Sequence, residues 1–237
     1  MSAHPLAIII PVYNEGQNIG TVLTAINEKV STAHRIYLVY DFDEDDTLPP
    51  AMEFIKLGHP VILLKNPERG VVSAIKTGLK TATEDCRLVT MADMSDDYDD
   101  VDKMYKLIVE DGCDIVCGSR YVRGGRQVGG PFIKKNMSRA AGLSLKLIAG
   151  LPTHDATNSY KLYRKKVIDT FEIESDGGFE IGLELVVKAH AAGFKIAEIP
   201  TIWHDRAKGE SRFKIIKWSP KYLKWYLYAM KNAINRS

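Results

Sequence analysis

RLVTMADMSDDYDD, residues 87–100, starts as a buried strand and ends in a burst of carboxylates. Asp93, Asp96, Asp97, Asp99 and Asp100 follow the apolar run closely. Like charges held this near one another repel, so solvent, a helix N-terminus or a metal ion has to compensate. The same pattern recurs on either side. LAIIIPVY (6–13), IYLVYD (36–41), VILLKN (61–66), RLVTMAD (87–93) and DIVCGSRY (114–121) are apolar runs ending in polar residues. Between them lie helical patterns, at about 18–30, 50–57 and 70–82, and then in DDVDKMYKLIVEDG (99–112), which opens on acids as the helix dipole favours. Strands that are continuously apolar, with no alternation, are buried on both faces. They predict an α/β fold with a mainly parallel sheet flanked by helices.

The second half is less regular. RGGRQVGGP (123–131) reads as a glycine-rich loop, FIKKNMSRAAGLSLKLIAG (132–150) as a helix, and NSYKLYRKKVI (158–168) as containing a strand. GFEIGLELVVKAHAAG (178–193) reads as a helix and KIAEIPTIWHD (195–205) as one strand. No repeat or low-complexity linker divides the chain. The expected organisation is one domain over 1–212 with a C-terminal amphipathic helix over 213–237.

The 237 residues carry a net charge of +2, which says little by itself. From Lys208 onward, eight cations face one acid, a net +7 that leaves the rest of the chain at −5. Cys86, Cys113 and Cys117 form neither a disulfide framework nor a zinc pattern and read as reduced buried thiols. MSAHPLAIII lacks the cationic region and cleavage site of a signal peptide. No apolar run reaches the roughly 18–20 residues that cross a bilayer. The expected location is cytoplasmic, or peripheral on the cytoplasmic face of a membrane, and no nucleic-acid partner is expected.

Ligands of open α/β sheets bind beyond the carboxyl ends of the strands. Asn14, Glu15, Asp41, Asp43, Asp93 and Arg120 fall there. Carboxylates and arginines at one sheet edge suit a nucleoside diphosphate held with Mg²⁺ or Mn²⁺, since hard cations take carboxylate and phosphate oxygens and arginine pairs with phosphate. Asp99, Asp100 and Asp102 read instead as helix-start acids on a solvated surface. There is no G-x-G-x-x-G after a strand, no Walker A sequence and no G-x-S-x-G elbow.

IIIPVYNEGQNI (8–19), GSRYVRGG (118–125), HDATNSYKLYRKKVI (154–168) and the run from GFEIGLE (178–184) to HDRAKGESRF (204–213) together resemble glycosyltransferase family 2, which has the GT-A fold. Within it, the chain is similar to the dolichol-phosphate mannosyltransferases and polyprenyl-phosphate glycosyltransferases. The resemblance implies that Pro11, Tyr13 and Glu15 line a nucleoside pocket and that Asp41 contacts the base or ribose. It implies that Asp93 binds metal, with Ser95 where some relatives carry a further ligand. Arg120, Arg139 and Arg206 match arginines near donor or acceptor phosphates, and Ser211 and Arg212 follow on a short loop. Lys135, Arg139 and Lys146 read as one basic helix face for an acceptor phosphate, with Gly142 permitting close approach.

Two motifs depart from the family. Its D-x-D reads Met91-Ala92-Asp93 here, and its D-D-G-S reads Tyr40-Asp41-Phe42-Asp43. Methionine is a poor ligand for a hard cation. Asp93 is therefore expected to anchor the metal, with water, phosphates and one of Ser95, Asp96 or Asp97 completing the shell. Binding that relies on the arginines instead of metal is the alternative.

The resemblance implies an inverting transfer of a sugar from a nucleotide sugar (GDP-mannose or a UDP-hexose) to a polyprenyl or dolichyl phosphate. An anionic acceptor needs no general base, in keeping with the reading of His154 and His204 as structural. The competing readings are a hydroxyl acceptor, served by Asp96, Asp97 or Glu180 as base, and a non-catalytic nucleotide-sugar-binding homologue. In the tail, Ser219-Pro220 reads as a helix start. Leu223, Tyr226, Leu227, Met230, Ala233 and Ile234 then share one face, and Lys221, Lys224, Tyr228 and Lys231 the other. Trp218, Tyr222 and Trp225 are aromatics suited to a membrane interface. The helix fits a membrane surface, and equally docking on the domain, on a second copy in a homodimer, or on a membrane partner subunit.

Overall fold

The computed structural model describes residues 6–205 and 215–234. The apolar runs become strands β1 (Leu6–Pro11), β2 (His34–Tyr40), β3 (Val61–Lys65), β4 (Cys86–Val89), β5 (Ile115–Ser119), β6 (Arg126–Val128), β7 (Lys161–Arg164), β8 (Ile196–Pro200) and β9 (Ile202–His204). The helices are α1 (Gly16–Lys29), α2 (Leu48–Lys56), α3 (Val71–Thr81), α4 (Val101–Val109), α5 (Phe132–Ala149), α6 (Lys165–Thr170), α7 (Ile181–Ala191) and α8 (Ile215–Ile234). Seven strands form one sheet in the order β3-β2-β1-β4-β7-β5-β8, and β6 pairs with β9 separately. Every pairing in the large sheet is parallel except those of β7, which runs antiparallel to both β4 and β5.

The double burial expected of the strands is visible in β1. Ala7 and Ile9 enter a core shared with α3, α5, α6, α7 and α8. Leu6, Ile8 and Ile10 enter a second core on the opposite face, against α1, α2 and α4. Since residues alternate between faces, a strand that is apolar throughout serves both. β1 pairs with β2 on one side and β4 on the other. This is the switch point where the chain ends diverge and a crevice opens.

Four readings of the sequence need correction. β4 stops at Val89, before Asp93. Thr90 still donates its N–H to the Ile9 carbonyl at 3.1 Å, but the backbone then turns away, with Met94 at φ 60°. The glycine-rich segment contains β6. The stretch 195–205 is two strands: Pro200 has no N–H to continue the ladder, and after it β9 pairs with β6 while β8 stays with β5. Finally, α8 already runs at Ile215 and carries Pro220 inside it. Packing holds it there, because Trp225 and Ala229 are only 2% and 5% exposed and join the core beside α7.

That packing reverses part of the tail's expected orientation. Trp225 is a core residue, not an interfacial aromatic, with the Lys188 and Lys224 ammonium groups 4.9 Å and 4.6 Å from its ring centre. Leu223, Leu227 and Ile234 are exposed. Among the described residues, no helix is long and apolar enough to cross a membrane.

Candidate active site

A cleft of about 1430 Å³ opens beyond the carboxyl ends of β1, β2, β4 and β5 and runs out between α5 and α8. Small-ligand pockets usually hold roughly 300–1,000 Å³, so this cleft has room for more than one substrate. Of the residues singled out in the sequence, Pro11, Tyr13, Glu15, Asp41, Asp93, Ser95, Arg120 and Lys135 all line it. Arg139 lies exposed on α5 and is not part of the lining. Arg206, Ser211 and Arg212 lie outside the described residues.

One end is built by the loops after β1 and β2. Tyr13, which is 44% exposed, meets Phe42 edge-on with ring centres 5.3 Å apart. Asp41 accepts a 2.7 Å hydrogen bond from Asn66 Nδ2 on one oxygen and a 2.9 Å bond from the Gly70 N–H on the other. It therefore pins the loop that leads into α3. Gly70 sits at φ +109°, a conformation only glycine adopts without strain. Beside it, Arg69 also lines the cleft.

The burst of acids divides by role. Asp97 caps the short 3₁₀ turn Tyr98–Asp100 by accepting from the Asp99 N–H at 3.1 Å. Asp99 pairs with Lys29 at 2.7 Å, and Asp100 with Lys103 at 3.1 Å. Asp102 accepts the N–H groups of Ser31 and Thr32 at 3.0 and 2.9 Å, tying α4 to the α1–β2 loop. Asp93 and Asp96 turn instead into the cleft, each 8% exposed. Asp93 accepts from the Ser95 N–H at 3.1 Å, and the Ser95 carbonyl accepts from His204 N–H at 2.9 Å. Burial pushes the Asp96 carboxyl up to about 7, an effect that nearby Asp93 reinforces and the Thr90 hydroxyl opposes.

Arg120 marks the cationic side. Its Nε and Nη2 donate to the two Asp155 oxygens at 2.6 and 2.8 Å, and Nη2 also reaches Ser138 Oγ at 3.1 Å. Nη1 makes no hydrogen bond among the described residues, which leaves donors for an anion. Burial works against the Arg120 charge, but Asp155 more than offsets it and holds the guanidinium firmly protonated. Asp155 is fixed in turn by its own segment. Buried Lys161 donates to the carbonyls of Ala156 and Asn158, although burial lowers its affinity for a proton.

The sequence model of glycosyl transferase family 2 matches residues 7–171. The chain belongs to this family. It is 29% identical over 214 residues to the dolichol-phosphate mannosyltransferase of Pyrococcus furiosus, a match covering 88% of this chain and 59% of that protein. It is 25% identical over 228 residues to the polyprenol monophosphomannose synthase of Mycolicibacterium smegmatis, covering 89% of this chain and 85% of that one. Among solved structures it resembles glucosyl-3-phosphoglycerate synthase from Mycobacterium tuberculosis in complex with Mn²⁺, UDP and glucosyl-3-phosphoglycerate. The TM-score is 0.69 and the identity 14%, with 96% of this chain and 80% of that chain covered. At that identity the likeness carries the fold, the GT-A arrangement of a mainly parallel sheet between helical layers.

In this family 2 chain the departure at Met91 has a packing consequence. The Met91 side chain is half-buried against the core that contains Ala74 and Leu145. Among the described residues, no group of three or more His, Cys, Asp or Glu side chains gathers. The donors present are Asp93, Ser95 and Asp96, all oxygen. They suit a hard cation such as Mg²⁺ or Mn²⁺ that keeps waters and shares phosphate oxygens.

Gly142 serves a different purpose from the one expected. A Cβ there would lie 2.1 Å from the His154 carbonyl oxygen, so the glycine lets α5 press on the 153–155 segment instead of on a ligand. Lys146 points toward Glu198 at 3.9 Å, and His154 Nδ1 lies 2.5 Å from the same carboxylate, so Lys135, Arg139 and Lys146 do not act as one face. Arg69 and Asp155 were given no role in the sequence reading. Arg69 had a usable signal, a cation just before the helix that starts after Gly70. Asp155 had only its place in the HDATNSY stretch, which does not point to a partner 35 residues away.

Proposed function

We propose that the chain is an inverting glycosyltransferase that moves a sugar from a nucleotide sugar, GDP-mannose or a UDP-hexose, to a polyprenyl or dolichyl phosphate at the cytoplasmic face of a membrane. One observation carries this reading: a single cleft joins a nucleoside-sized aromatic end, a carboxylate pair and a partly uncommitted arginine, and continues between two basic, amphipathic helices. The nucleoside lies at the Tyr13–Asp41 end, and its diphosphate lies between Asp93 and Arg120. An oxygen of the acceptor phosphate attacks the anomeric carbon from the face opposite the leaving group. The bond from that carbon to the donor phosphate breaks, and the nucleoside diphosphate leaves with the electron pair. The acceptor oxygen is already anionic, so no residue has to remove a proton. Arg120 meets the charge that develops on the leaving diphosphate, as preorganised cations do. Asp93, joined by Ser95 or Asp96, would hold Mg²⁺ or Mn²⁺, which supplies further neutralisation of that diphosphate.

The acceptor route is supported by the helices at the cleft mouth. Neither α5 nor α8 contains an acid, and together they carry eight Lys and Arg residues. Phe132, Ile133 and Leu147 on α5 are exposed, as are Leu223 and Leu227 on α8. Apolar side chains set among cations suit the headgroup layer of an anionic bilayer. This extends the membrane contact first read in residues 213–237 to α5.

Met91 favours a second reading, a nucleotide-sugar-binding homologue without catalysis. The two are separated by incubating the protein with labelled GDP-mannose or UDP-glucose and polyprenyl phosphate in detergent. A labelled product that partitions into organic solvent and is cleaved by mild acid supports transfer. Nucleotide binding without such a product supports the second reading.

A further inference from the structure

The acid missing at Met91 leaves open which group joins Asp93, and the fold separates the candidates. Asp97 is taken up as a cap and lies 3.7 Å from Lys29. Ser95 lines the cleft but is only 2% exposed, and its neutral hydroxyl supplies no charge in place of the lost acid. Asp96 is different. The turn through Met94 folds it back onto the end of β4, where its Oδ2 accepts from Thr90 Oγ1 at 2.8 Å and, weakly, from the Met91 N–H at 3.4 Å. The carboxylate is thus tethered to the backbone of Met91, whose half-buried side chain packs against the core and also lines the cleft. Its Oδ1 accepts no hydrogen bond among the described residues, and the residue lines the cleft with Asp93.

The geometry points to Asp96 as the replacement for the lost acid, so that Asp93 and Asp96, three residues apart, hold the divalent cation together. The inference rests on the metal-assisted reading of nucleotide binding given above. Its chemistry is that of a hard cation: two carboxylates from the protein, with the remaining positions left to water and diphosphate oxygens. It also accounts for the tolerance of methionine at residue 91.

The test is Mn²⁺ binding followed by electron paramagnetic resonance, with UDP and separately with GDP, on the wild type and on Asp96→Asn, Asp97→Asn and Met91→Asp/Asp96→Asn. Asparagine keeps an oxygen for the Thr90 hydroxyl, and thermal melting checks each fold. Asp96→Asn is expected to weaken Mn²⁺ binding at least tenfold, Asp97→Asn to leave it unchanged, and the double variant to recover it. Wild-type-like Mn²⁺ affinity in Asp96→Asn, or an equal loss in Asp97→Asn, would overturn the assignment and leave the functional reading intact. A wild type that binds both nucleotides equally with and without Mn²⁺ would overturn the metal reading and this inference together.

Discussion

Asp155 grips Arg120 with three hydrogen bonds, to the backbone N–H at 3.1 Å, to Nε at 2.6 Å and to Nη2 at 2.8 Å. The carboxylate is fully buried and the arginine side chain is 10% exposed. Removing one member of such a pair strands the other charge in a low-dielectric site, at a cost of about 3–5 kcal/mol. Asp155→Ala should therefore lose stability in that range by urea denaturation. Asp155→Glu should recover part of it while still misplacing the guanidinium, which would show as weaker nucleotide diphosphate binding at a stability between those of Asp155→Ala and the wild type.

The same pair sets an acid limit. Burial alone would raise the Asp155 carboxyl, but the charge and hydrogen bonds of Arg120 outweigh it and hold it below the ordinary aspartate range. A free aspartate titrates near ~4. With the folded pKa depressed, the unfolded chain binds the proton more readily. The contribution is complete above the unfolded pKa and is lost as pH falls through the folded one. Wild-type stability should drop as pH falls below about 4, and Asp155→Asn should show a flatter profile over that window.

Trp225 and Leu227 lie on one helix and should behave in opposite ways. Trp225 is 2% exposed within the core, and Leu227 is 57% exposed. Truncating a buried tryptophan costs about 3–5 kcal/mol, so Trp225→Ala should lower the melting temperature and loosen hydrogen exchange along α8. A surface change such as Leu227→Ser stays within about 0.5 kcal/mol. Paired with Leu147→Ser, it should leave melting unchanged and reduce co-sedimentation with vesicles containing phosphatidylglycerol. Unchanged co-sedimentation would remove α5 and α8 from the membrane reading.

How far the sequence could be read depended on the range of the interaction that decides each feature. Strands β1 to β5 were legible because a continuously apolar run reports its own burial. The loops after β1, β2 and β4 were legible as site loops because strand ends in such sheets face the ligand. The orientation of α8 was not. Its pattern allows either the Leu223–Leu227 face or the Trp225–Ala229 face to turn inward, and packing on α5 and α7, far off in sequence, decides between them. The split of KIAEIPTIWHD into β8 and β9 depends on β6, which is too short and polar to announce itself. In the opening stretch the clustering of acids was plain. Their division into caps, ion pairs and cleft residues needed Lys29, Ser31 and Thr32, some 70 residues upstream.

Asp41 offers a separation of structure from ligand binding. Both of its oxygens serve the loop before α3, through Asn66 Nδ2 and the Gly70 N–H. In Asp41→Asn the amide can keep one of these acceptors, but its NH₂ group then faces a donor. Leaving the buried Asn66 amide without its acceptor costs about 1–3 kcal/mol, whereas the exposed Gly70 N–H can turn to water. The nucleotide-free protein should therefore melt lower, and hydrogen exchange across residues 66–71 should quicken. If Asp41 also contacts the nucleoside, the affinity for UDP or GDP measured by calorimetry should fall further than in Asn66→Ala, which disturbs the same loop from the other side. Equal losses in the two variants would make Asp41 a positioning residue that acts through Arg69 and Gly70.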